Sequence, residues 1–166
     1  MQFGRLLPVV LPVLALASAA LAADSAKVVR GQLPPDFSGA TLRGGKLTLS
    51  EFRGKSPVVL SFYAQAFQPC RKEFAHLKEL DEKYGAKGLK IVAVAMDEAR
   101  KDAVALPDET RVRFPVVFSP GGGIGEKYGV QALPPTVVLN RDGTVHAVLI
   151  GTDGSRLDRA VEEVVR

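Results

Sequence analysis

The sequence predicts one α/β domain with a mixed central sheet, helices on both faces and a β-hairpin at its N-terminal end. Two short apolar runs rich in β-branched residues, Pro57 to Tyr63 and Leu89 to Ala95, flank a segment of helical period from Gln68 to Tyr84. A connection of that length between buried strands implies a parallel pair with a right-handed crossover. Two later strand-like runs, Thr136 to Leu139 and Val145 to Ile150, are joined by Asn140-Arg-Asp-Gly143, whose Asp-Gly step signals an antiparallel hairpin.

The chain opens with a secretory pattern. One positive residue, Arg5, precedes an apolar stretch from Leu6 to Leu16 and a small-residue tail, Ala17 to Ala22, so residues 1–22 are expected to be a signal peptide cut after Ala22. Pro8 and Pro12 interrupt the apolar stretch, which argues against a retained spanning helix. The expected location is periplasmic or secreted, with membrane contact only through the transient signal. Residues 23–34 form a leader onto the domain, with Pro34-Pro35 fixing a non-helical entry, and residues 35–166 are the domain itself.

Within the domain, the segment Ala40 to Leu49 alternates apolar and polar residues around Gly44-Gly45, which reads as the hairpin. Ser50 to Gly54 reads as one helical turn stopped by glycine. From Gln68 onward Cys70, Phe74, Leu77, Leu80 and Tyr84 recur at three- and four-residue steps, and Arg71, Lys72, Lys78, Glu79, Glu82 and Lys83 fill the opposite face. Pro69 is tolerated in the first turn, and Gly85 and Gly88 end the helix. Asp97 is expected to cap a second helix through about Ala105, limited by Pro107, before a short strand from Phe114 to Phe118. Pro120-Gly-Gly-Gly-Ile-Gly125 lacks the Gly-Lys-Ser/Thr ending of a phosphate loop and reads as a turn into a short helix. Leu157, Ala160, Val161, Val164 and Val165 form the apolar face of a last helix, capped by Asp153 or Ser155.

Composition excludes several functions. The chain carries net charge +4 and Arg5 is the only charged residue before Ala23, so the domain keeps about +3, with both signs interleaved. That is ordinary solvation and not a nucleic-acid footprint. One cysteine and two widely separated histidines, His76 and His146, do not supply a structural zinc site, and both histidines are expected to face solvent. No cofactor motif is present. A lone cysteine in an exported chain can form a disulfide only with another molecule.

Several motifs in order resemble the thioredoxin superfamily, in particular the exported TlpA-like thiol-disulfide oxidoreductases and the broader redoxin group related to AhpC/TSA proteins. They are Pro35-Asp36-Phe37, Leu49 to Lys55, Ser61-Phe-Tyr-Ala64, Tyr128 to Thr136 and Asn140 to Gly143. The resemblance implies a thioredoxin-like fold and an oxidoreductase site of the form Trp-Cys-x-x-Cys at the start of the first long helix. Carried over by position, Ala66 stands for the tryptophan, Phe67 for the attacking cysteine and Cys70 for the resolving cysteine, while Pro134 matches the family's cis-proline.

The motif is degenerate where it matters most. A thiol at the helix N-terminus is activated by the dipole, whereas one a turn inside points to the core and stays neutral. Two functional readings remain open at this stage. In the first, dithiol exchange is lost and the surface of Ala66, Phe67 and Pro134 binds an extended extracytoplasmic protein or peptide partner, a thiol-containing one included. In the second, Cys70 is a monothiol redox centre that forms mixed disulfides or, as an antioxidant, reduces peroxide. Phe67-Gln-Pro-Cys70 resembles the peroxiredoxin Thr-x-x-Cys frame with the threonine lost. The plain alternatives are a buried small side chain at Cys70 and a structural turn proline at Pro134.

Overall fold

The computed structural model describes residues 28–131, 135–151 and 153–166. The signal segment 1–22, residues 23–27 of the leader and Pro134 lie outside the described residues. In chain order the elements are β1 (Ser38–Ala40), β2 (Lys46–Thr48), β3 (Val58–Tyr63), α1 (Pro69–Tyr84), β4 (Lys90–Ala95) and α2 (Arg100–Thr110). They continue with β5 (Val116–Phe118), α3 (Gly123–Lys127), β6 (Pro135–Leu139), β7 (Val145–Ile150) and α4 (Gly154–Val164). A single 3-10 turn, Leu49–Phe52, precedes β3.

The hairpin and the sheet form as their local chemistry requires. Gly44 and Gly45 both have positive φ, 95° and 86°, between β1 and β2, a conformation that a side chain would strain. The main sheet has the order β5-β4-β3-β6-β7. β3 and β5 run parallel to β4, β6 lies antiparallel to β3, and β7 is antiparallel to β6. Pro135 can open β6 because a first strand residue is one place where a missing N–H is tolerated. An isolated bridge from Thr41 to Val117 ties the hairpin to the β5 side.

Two apolar clusters fill the two sides of this sheet. On one side α1, α2 and α4 pack through Phe74, Leu77, Leu106, Leu157 and Val161 onto Val59, Tyr63 and Ile91. On the other, the hairpin and α3 cover Leu60, Phe62, Val92 and Val94 with Phe37, Leu47, Ile124 and Tyr128. β3 and β4 lie between the layers, which is why their sequences are continuous apolar runs with little alternation.

The second helix corrects two expectations. It starts at Arg100 with Ala99 at its cap, and it continues through Pro107 to Thr110. Pro107 has no N–H to give the carbonyl of Ala103 one turn earlier. The buried Tyr63 hydroxyl, from β3, donates to that carbonyl instead. The group that a helix proline orphans is thus satisfied from the sheet. Tyr63→Phe is expected to cost about 1 to 2 kcal/mol of stability, because it leaves the Ala103 carbonyl buried without a donor. Urea unfolding would measure it, and an unchanged midpoint would contradict this account of how the helix passes the proline.

Candidate functional site

The chain leaves β3 at Tyr63 and makes a tight turn before α1. Phe67 N–H donates to Ala64 O at 3.1 Å, and Cys70 N–H donates to Phe67 O at 3.0 Å. Asp97, expected as a helix cap, serves this turn: its Oδ1 accepts the Gln65 N–H at 2.9 Å. Burial pushes the Asp97 carboxyl up, and the Gln65 amide pulls it part of the way back. Gln65 Oε1 and Asp97 Oδ2 are buried acceptors with no donor among the described residues.

This geometry presents the turn and hides the thiol. Ala66 and Gln68 are exposed, and Phe67 is 40% exposed although it is a large apolar side chain. Pro69 is the first residue of α1, so Cys70 is the second, and its side chain turns inward to 0% exposure. Burial is the main force raising the thiol pKa above its ordinary value. The Ala64 amide opposes it, while the nearby carboxyls of Glu73 and Asp97 add to it. The residue that follows does not help ionise the sulfur, since Arg71 is paired with Glu109 of α2.

Glu73 is a buried acid beside Cys70 that the helical periodicity does not mark. It is only 5% exposed, three residues after Cys70 on the buried side of α1. Its Oε1 accepts from Ser61 Oγ of β3 at 3.0 Å and from Thr136 Oγ1 of β6. One carboxyl therefore ties the helix that carries the thiol to the strand before it and to the strand that follows the Pro134-Pro135 step. Burial holds this carboxyl above its ordinary pKa, against the hydrogen bonds from Thr136 and Ser61 and the nearby His76. The sequence did contain a signal: an acid at the i+3 position of an apolar stripe, and one serine inside the apolar run Val58–Tyr63.

Glu73 also lines a cleft of about 260 Å³ with Lys72, His76, Leu149 and Asp153. Neither histidine is solvent-facing in the way expected. His76 Nε2 lies 2.8 Å from Asp158 and His146 Nε2 lies 2.8 Å from Glu163, so α4 supplies a carboxylate to each. Gly154 permits this packing, because a Cβ there would stand 2.7 Å from the His76 ring. Among the described residues no group of three His, Cys, Asp or Glu side chains is placed to hold a metal ion. Pro134, the remaining predicted contact, falls outside the described residues, next to Pro135 and Thr136.

A helix whose first turn carries a cysteine, set directly after the central strand of a β5-β4-β3-β6-β7 sheet, is the framework of a thioredoxin-type thiol-disulfide oxidoreductase. The chain belongs to the AhpC/TSA family, whose model matches residues 30–148. It is similar to the thiol-disulfide oxidoreductase ResA of Bacillus thuringiensis strain Al Hakam, with 34% identity over 129 residues, 78% of this chain and 74% of that protein. The thioredoxin-like protein YneN of Bacillus subtilis is 34% identical over 128 residues, 75% of this chain and 74% of its own length. Among solved structures, a Chlorobium tepidum chain described as a thiol:disulfide interchange protein DsbE superposes with a TM-score of 0.79 at 30% identity. That match covers 84% of this chain and 100% of the other. The mixed sheet, the flanking helices and the N-terminal strand pair are thus those of the thioredoxin-like fold.

Proposed function

We propose that this protein is an exported thioredoxin-like domain that has lost dithiol-disulfide exchange and acts by binding an extracytoplasmic protein or peptide partner. The contact surface is Ala66, Phe67 and the Pro134 segment. The observation that carries this reading is the pairing of an exposed Phe67 with a fully buried Cys70: the accessible position holds a ring, and the chain's one thiol is closed to water. An aromatic side chain on an exposed turn is a suitable anchor for an extended peptide, since it brings apolar area without the entropy cost of a long flexible chain. Monothiol chemistry at Cys70 is the weaker reading, because attack needs a solvent-reachable thiolate and burial disfavours that form. The secretory pattern of residues 1–22 supports export.

Alkylation of Cys70 across pH, with and without urea, tests this. The native protein is expected to label slowly at every pH below about 8.5, the ordinary thiol range, and rapidly once unfolded. Reduction of a disulfide substrate and consumption of hydrogen peroxide should both stay at the buffer background. Fast native labelling near neutral pH together with turnover of either substrate would sink the binding reading. As a positive arm, reduced insulin B chain serves as an unfolded probe, and Phe67→Ser should weaken its binding roughly tenfold.

A further inference from the structure

β7 is the outer strand on one side of the sheet, and among the described residues its free edge is occupied only at its start. Gly31 N–H donates to Val145 O, and Val145 N–H donates to Gln32 O, each at 2.8 Å. Beyond Val145, among the described residues, only β6 pairs with this strand. Edge strands are usually protected from pairing by lysine, proline or charges placed on the strand. From Ala147 to Ile150 this strand has none of these, and Val148 and Ile150 are 39% and 59% exposed.

Those two residues border a groove of about 830 Å³ that also touches Phe62 and Val137. The charged side chains lining it are Arg30 and Arg156, and neither makes an ion pair among the described residues. The groove is therefore largely apolar and bounded by a strand edge that no described residue pairs beyond Val145; both charged side chains lining it are positive, with the Asp153 carboxylate near Arg156.

We propose that the outer edge of β7 accepts an extended segment of a partner protein as an added strand. That segment carries apolar side chains at alternate positions and a carboxylate that faces Arg30 and Arg156. An added strand pairs the outward N–H and C=O groups beyond Val145, and its alternate side chains fall on the Val148 and Ile150 face. The two arginines select the sign of the incoming charge. They also argue against a second copy as the occupant, because antiparallel pairing of two β7 edges would bring the arginines of one copy toward those of the other. A lipid surface would leave the strand's backbone groups without partners.

The test uses the purified protein and a fluorescein-labelled peptide, Ser-Glu-Val-Thr-Val-Thr-Val-Glu-Ser, compared with the version in which lysine replaces both glutamates. Anisotropy should show saturable binding of the acidic peptide, with the lysine version at least about tenfold weaker. Val148→Lys and Ile150→Lys, both at exposed positions, should each weaken binding roughly tenfold while leaving the circular dichroism unchanged. Arg156→Glu, which leaves Arg30 as the one positive side chain, should remove most of the preference between the two peptides. Bound peptide should also slow hydrogen exchange at the amides of Ala147 to Ile150. The proposal is overturned by absence of saturable binding, by equal binding of the two peptides, or by indifference to Val148→Lys. It is equally overturned by a dimer in sedimentation that Ile150→Lys abolishes, or by binding to phosphatidylglycerol vesicles in place of the peptide.

Discussion

Phe67→Cys is expected to create a dithiol exchange centre in a chain that has one cysteine. The position has the required geometry: the Phe67 carbonyl accepts the Cys70 N–H at 3.0 Å, so the two residues sit one turn apart at the head of α1. Cysteines in that relation place their Cα atoms within the roughly 4.4–6.8 Å that a disulfide spans. The new thiol would be exposed, as Phe67 is, and would face the positive end of the helix. Its pKa should fall below the ordinary value of about 8.5. With dithiothreitol as reductant and a fluorescent disulfide as substrate, turnover should exceed that of the wild type by at least about a hundredfold.

Cys70 then has a defined task, which is to release the mixed disulfide formed at position 67 by attacking it from inside the turn. Combining Phe67→Cys with Cys70→Ser should trap that mixed disulfide and remove the turnover. A Phe67→Cys protein that folds normally, shows wild-type unfolding and still exchanges no disulfide would mean that more than one sulfur separates this chain from active dithiol catalysts.

The second large effect concerns Glu73. Glu73→Ala removes the acceptor from two hydroxyls, Ser61 and Thr136, that are themselves buried, and it leaves a void between α1, β3 and β6. The expected loss is about 2 to 4 kcal/mol, measured by denaturant unfolding at pH 7. Glu73→Gln keeps an oxygen in the same place and should lose far less.

The two variants also differ in pH dependence. Burial raises the folded carboxyl above its ordinary value of 4.5, so on raising the pH the unfolded chain releases this proton first. In that window the folded state holds more protons than the unfolded one, and stability falls with pH. The stabilisation linked to Glu73 is thus complete below about pH 4.5 and is lost as the pH rises through the folded pKa. Glu73→Gln has no such proton and should flatten this part of the profile. A wild-type profile that rises across the same window, or one unchanged by Glu73→Gln, would show that the carboxyl is ionised inside the fold.

What could be read in advance was local or periodic. The β-branched runs, the three- and four-residue spacing from Cys70 to Tyr84, the paired glycines at 44 and 45 and the Asp-Gly turn each depend on residues close together in the chain. Each found its element within a few positions. The place of the thiol in its helix was less legible: Cys70 was expected a full turn inside α1 and is instead its second residue, so its burial comes from what packs against the first turn and not from depth in the helix.

The missed features join residues that are distant in the chain. Asp97 was expected to cap a helix because the cap is the local use of an aspartate, yet its oxygen serves Gln65, a neighbour only across the parallel β3–β4 pair. Pro107 was expected to stop α2, and it does not because Tyr63 reaches the orphaned carbonyl from 40 residues away. The two histidines have no local partner, and α4 brings a carboxylate to each.

Sequence alone determined the α/β architecture, the place of the first long helix and the presence of a single cysteine near its start, because periodicity and residue identity are properties of the chain. Tertiary structure alone decided that Phe67 is open while Cys70 is sealed, that Glu73 is buried between two hydroxyls, and that no described residue pairs the outer edge of β7 beyond Val145. Burial and hydrogen bonding depend on what the rest of the fold places against a group, and no single stretch of the chain contains that information.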